Sequence, residues 1–98
     1  MSSMRQLMKQ AQEMQERLQR ELASTVVEVS VGGGMVSVKM SGHKQLVEVK
    51  IDPEVMDPQD PSMLEDLIVS AVNEAGRKVE ETMQGKMGSM AASLPGLF

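Results

Sequence analysis

Hydrophobic positions in the first two dozen residues recur in alternating steps of three and four. Met4, Leu7, Ala11, Met14 and Leu18 make the series, Leu22 follows it, and Met8 widens it on one side. That period predicts an amphipathic helix over about Ser3–Ala23, with a narrow, coiled-coil-like seam that needs another helix beside it. Glutamine and charge fill the rest, without glycine or proline. At about 1.5 Å per residue the helix is roughly 30 Å long, so part of it is expected to project beyond so small a core.

From Thr25 the period shortens to two. Thr25–Val31 places Val27, Val29 and Val31 on one face, Met35–Ser41 places Val36, Val38 and Met40, and Gln45–Asp52 places Val47, Val49 and Ile51. β-branched residues in strict alternation, punctuated by Gly32-Gly33-Gly34 and Gly42-His43-Lys44, predict a three-stranded antiparallel meander. Its one apolar face is able to receive helices, and its first and third strands are edges open to a second chain.

Three Asp-Pro pairs, at 52–53, 57–58 and 60–61, then interrupt regular structure. Each proline removes an amide donor and disfavours the helical conformation in the residue before it. A second helix is expected from Asp60 as N-cap and Pro61 at the first position. Ser62 with Glu65 is an alternative cap. The stripe Leu64, Leu67, Ile68, Ala71, Val72, Ala75, Val79 and Met83 carries it to about Gln84. The order is therefore α-β-β-β-α, an α+β subunit. Residues 1–84 are read as one domain and 85–98 as a flexible tail with an apolar tip at Leu94, Leu97 and Phe98.

Composition removes most chemistry. The 98 residues hold no cysteine, tryptophan or tyrosine, one histidine, and one phenylalanine at the last position. No disulfide, zinc site or thiol nucleophile is available. His43 sits in a turn beside Lys44, without a neighbouring acid or nucleophile, and reads as a solvated residue rather than a catalytic base. Gly32–Gly34 lies between two strands, where a hairpin turn fits better than a phosphate cradle between strand and helix. The acids of residues 52–66 lack calcium-loop spacing and read as turn and cap residues. The 11 methionines are scattered through every segment, as adaptable packing rather than copper ligands. No enzymatic activity, metal or cofactor is expected. No apolar stretch approaches a membrane span, and the N-terminus has no secretory h-region, so a cytoplasmic protein is expected.

A net charge of −4 first argues against nucleic acid, but its distribution changes that reading. Residues 53–74 carry six acids and no base, whereas residues 1–24 and 75–98 are each slightly basic. Arg5, Lys9 and Arg20 fall opposite the seam of the first helix, with Arg17 to one side, among Glu13 and Glu16. From this helix alone a solvated mixed-charge face is the better reading, although glutamines and arginines together also suit phosphate and groove contacts. Without aromatic rings to stack on bases, any nucleic-acid ligand should be duplex, held through its backbone.

Five stretches in order, MRQLMKQAQEMQERLQRELA, VGGGMVSVKMSG, VEVKIDPEV, LEDLIVSAVNEAGRKVEE and LPGLF, cover nearly the whole chain. Together they resemble the YbaB/EbfC family of bacterial nucleoid-associated proteins. Val29 stands where relatives often carry glycine. The resemblance implies α-β-β-β-α subunits that pair through their sheets into a homodimer with projecting helices. It also implies binding of duplex DNA with limited sequence preference, at the nucleoid. By region it places DNA contacts at Arg5, Lys9, Arg17 and Arg20 on the first helix, and at Arg77, Lys78 and Lys86 near the end of the last. Genes of the family often lie near those of the clamp loader and a recombination mediator. That implies the alternative, an adaptor for replication or recombination proteins through the methionine-rich seam, the acidic linker or the LPGLF tip.

Overall fold

Period-two alternation in the middle of the chain does what strand geometry requires. Successive side chains point to opposite faces, and one face is buried. The computed structural model describes residues 2–92. Helix α1 (Ser2–Ser24) leads into strands β1 (Val26–Val31), β2 (Val36–Ser41) and β3 (Leu46–Ile51), and helix α2 (Ser62–Ala92) follows. The sheet is antiparallel in the order β1-β2-β3. The predicted α-β-β-β-α order is therefore correct.

Between β1 and β2 the chain turns through Gly32, Gly33 and Gly34, all at positive φ, a conformation that costs glycine little. The linker is held by its own acids. Asp52 accepts the Glu54 amide at 2.9 Å, opening a short 3₁₀ turn over Pro53–Val55, and Asp57 accepts the Gln59 amide at 2.9 Å. Such Asx bonds are the usual reason for aspartate in turns. Asp60 departs from its expected N-cap role, because its carboxylate takes the Ser62 hydroxyl at 2.7 Å. The Pro61 carbonyl accepts the Glu65 amide, starting α2 one residue later than predicted.

The core lies between α2 and the first two strands. Val27 and Val29 of β1 and Val36, Val38 and Met40 of β2 meet Ala71, Ala75, Val79 and Met83 of α2. Ala71 and Ala75 are fully buried, and their small side chains let the helix axis lie close to the sheet. Val29 is buried within this layer, so a valine is accommodated where the family resemblance had suggested glycine.

Two features differ from the expected pattern. The β2–β3 register runs Lys39↔Glu48 and then Met40↔Leu46, so Val47 is an extra residue in a bulge rather than aligned with Val49 and Ile51. Helix α2 does not stop near Gln84 but continues to Ala92. Gly85 and Gly88 each cost about 1 kcal/mol relative to alanine, a penalty that propagation from the packed part of α2 overcomes. The expected apolar tip, Leu94, Leu97 and Phe98, lies outside the described residues.

Candidate nucleic-acid interface

Helix α1 has 23 residues and is about 34 Å long at 1.5 Å per residue. Only its last turns approach the sheet, against β2, where Leu22 packs at the rim of the core. The rest projects. The chain measures 70 × 20 × 15 Å with a radius of gyration of 19.3 Å, against about 13 Å for a compact domain of this length. The N-terminal part of the predicted seam is thus bare in one copy, whereas Met14 and Leu18 farther along it are half-buried. Met4, Leu7 and Met8 are each more than 60% exposed.

Arg5, Lys9, Arg17 and Arg20 are all exposed on this projecting helix. Among the described residues none of the four makes a salt bridge. Arg5, Lys9 and Arg20 lie on the side of the helix away from the apolar seam, and Arg17 flanks them, as a 100° step per residue requires.

The basic residues of α2 are placed differently. Arg77 is paired with Glu74 one turn earlier. Lys78 donates to the Glu28 carbonyl of β1 at 2.9 Å. The Thr25 carbonyl accepts the Gly42 amide from within the sheet, so by alternation the Glu28 carbonyl faces the outer edge. Lys78 therefore occupies an acceptor on the free side of β1. Lys86 reaches the base of α1, donating to Thr25 Oγ1 at 2.7 Å and lying 3.1 Å from Glu21 Oε2. The seven basic residues singled out from sequence do not form one cluster. Four stand unpaired on the arm, and three are tied to the body.

Three participants at the arm's base were not singled out from sequence. Thr25 is the one buried polar residue among those described, and its hydroxyl donates to the Glu21 carbonyl at 2.5 Å. Gly42 is buried against the backbone of Leu22. Only the position of Thr25 at a helix–strand junction hinted at such a role. Nothing local marks Glu21 as the partner of a lysine 65 positions later.

Charge separates along the molecule. The Val31, Val36 and Ile51 end of the sheet leads into the acidic segment, while Thr25 and Gly42 at the other end carry α1. Asp52, Glu54, Asp57, Asp60, Glu65 and Asp66 therefore gather at the end remote from the arm. Beside the arm end, Lys44 Nζ donates to Glu80 Oε1, and that hydrogen bond together with the lysine charge lowers the Glu80 carboxyl below its ordinary value.

Residues 1–94 match the sequence profile of the YbaB/EbfC DNA-binding family. The chain belongs to this family. Among YbaB/EbfC relatives, a "nucleoid-associated protein" of Acidobacterium capsulatum is 50% identical over 104 aligned positions, covering 97% of this chain and 95% of that one. One from Chloroflexus aurantiacus, with the same description, is 45% identical over 97, covering 96% and 97%. The crystal structure of an uncharacterized protein from Helicobacter pylori superposes with a TM-score of 0.76 at 26% identity, over 93% of this chain and 96% of that one. The α-β-β-β-α fold of this chain is thus shared, over nearly its whole length, with a solved structure of low sequence identity. No helix among the described residues is long and apolar enough to cross a membrane.

Proposed function

We propose that this chain is a nucleoid-associated protein that binds duplex DNA as a homodimer, with little sequence specificity, through the exposed face of α1. The observation that carries this reading is the set Arg5, Lys9, Arg17 and Arg20, exposed and, among the described residues, without salt bridges on a helix that projects from the body. Free guanidinium and ammonium groups bind phosphate by displacing condensed counterions, which supplies affinity without reading bases. The acidic segment at the far end of the sheet repels the duplex and turns the arm end toward it. Arg77 takes second place in this interface, because its exposed pair with Glu74 is worth little and exchanges readily for phosphate. Lys78 and Lys86 serve the fold.

Pairing of two copies follows from surfaces that one copy leaves bare. Leu46, Val47 and Val49 of β3 are 42–61% exposed, and the outer edge of β3 has no counterpart to Lys78 among the described residues. A second copy that covers β3 and the α1 seam removes both liabilities and presents two basic arms.

A mobility-shift series on several unrelated duplexes across salt concentrations tests the reading. Similar affinities for all sequences, falling steeply with salt, are the expected result. No shift at low salt, or binding to one sequence alone, overturns it.

A further inference from the structure

Helix α1 ends at Ser24 and β1 begins at Val26, so a single residue, Thr25, joins a 34 Å lever to the body. One residue contributes two soft dihedral angles. A rotation of about 10° there moves the far end of the arm by roughly 6 Å, at 1.5 Å of rise per residue. Within one copy its direction is set by contacts at its base, because Met4, Leu7 and Met8 toward its far end are bare.

We propose that Lys86 is a positioning residue that sets the angle of the α1 arm. The inference rests on the reading of α1 as the DNA-binding arm. Lys86 comes from α2, and its ammonium group holds both sides of the junction at once. It donates to Thr25 Oγ1 at 2.7 Å on the sheet side and faces Glu21 Oε2 at 3.1 Å in the last turns of α1. Thr25 closes the knot by donating the same hydroxyl to the Glu21 carbonyl at 2.5 Å. Thr25 is 5% exposed, so this hydroxyl has little access to water as a substitute for Lys86. Below the knot, the Leu22 backbone rests on Gly42, and the Gly42 amide donates to the Thr25 carbonyl at 3.0 Å. Contact with Gly42 stops the arm from moving toward the sheet. Lys86 restrains it from swinging away. With its charge met by Glu21, Lys86 is a poorer phosphate ligand than the four unpaired cations of α1.

The absence of cysteine makes the arm directly measurable. Spin labels introduced through Gln10→Cys on α1 and Asn73→Cys on α2, with labelled protein diluted into excess unlabelled full-length chain, report the distance within one protomer. The natural Lys86 should give one narrow distribution. Lys86→Met and Thr25→Val should each broaden it, and Lys86→Arg, which keeps the donors, should restore it. In mobility shifts, Lys86→Met should weaken duplex binding about tenfold by loss of preorganisation, with the salt slope unchanged. An unbroadened distribution in Lys86→Met and Thr25→Val overturns the proposal. So does a narrow distribution combined with a slope reduced by about 0.9, the mark of a lost phosphate contact. Should the natural protein fail to bind duplex at all, the DNA reading falls, while the distance distributions still decide whether Lys86 orients α1.

Discussion

Val38 and Val49 stand opposite one another on β2 and β3, yet Val38 is 1% exposed and Val49 42%. The difference arises because α2 lies over β1 and β2 and leaves β3 outside its span. Two of the three strands are covered by the chain's own helix, and the third is left largely bare. Burial of a valine stabilises by about 1.5–3 kcal/mol, so the bare strip favours association. Sedimentation equilibrium at micromolar concentration should give about 21 kDa, twice the chain mass, as a closed two-fold pair requires. Val49→Lys with Val47→Lys should return the mass to that of one chain while leaving the circular dichroism intact. A natural protein that sediments as one chain contradicts the pairing.

Gly42 leaves no room for a side chain against the Leu22 backbone. A Cβ at Gly42 would lie 2.6 Å from the Leu22 carbonyl oxygen and 2.9 Å from its Cα. Both obstacles are backbone, so α1 itself must move. Gly42→Ala should cost about 1–3 kcal/mol, the usual range for overpacking, read from the urea midpoint. Gly76, in the middle of α2, is the control, because nothing lies within 4 Å of a Cβ there. Gly76→Ala should stabilise by up to about 1 kcal/mol through helix propensity. Equal effects at the two sites would remove the special role of Gly42.

These two contrasts mark what the sequence could and could not reveal. The alternation of Val27, Val29, Val36 and Val38 is a local pattern, and it placed the strands and their buried face correctly. Ala71, Ala75 and Val79 likewise marked the face of α2 that meets them. The Val47 bulge arises from the pairing of two strands, a relation that no alternation within one strand records. The extension of α2 past Gly85 and Gly88 reflects cooperative helix propagation outweighing two single-residue penalties. The candidate interface was half legible. Periodicity put Arg5, Lys9 and Arg20 opposite the seam, but the ties of Lys78 to Glu28 and of Lys86 to Thr25 span 50 and 61 positions.

Glu80 supplies a pH prediction. The Lys44 hydrogen bond and charge hold its carboxyl below the ordinary glutamate value in the folded chain. A depressed folded value means that the pair's contribution is fully present above the unfolded carboxyl value and is lost as pH falls through the folded one. Carboxyl-carbon NMR should show Glu80 titrating below the ordinary glutamate value. Lys44→Met should bring its midpoint up toward that ordinary value. The difference in acid stability between the two proteins should vanish once both forms of Glu80 are protonated. A Glu80 midpoint unaffected by Lys44→Met would separate the two groups in solution.

The basic face of α1 makes a prediction about slope as well as affinity. Arg5, Lys9 and Arg20 share one side of the arm, free of salt bridges among the described residues, and each is able to displace a counterion from the duplex. Each lost phosphate contact flattens the plot of log K against log salt by about 0.9. Arg5→Ala, Lys9→Ala and Arg20→Ala combined should therefore weaken binding on every duplex alike and flatten the slope by roughly 2.7 for each engaged arm, on the same counterion arithmetic. Arg77→Ala should produce a smaller change, since its cation is shared with Glu74. Uniform weakening across sequences identifies backbone contacts, whereas a loss confined to particular duplexes would reveal base readout. A triple variant with unaltered slope would move the interface off α1, and with it the reason for projecting a helix from a sheet that needs only α2 to cover its first two strands.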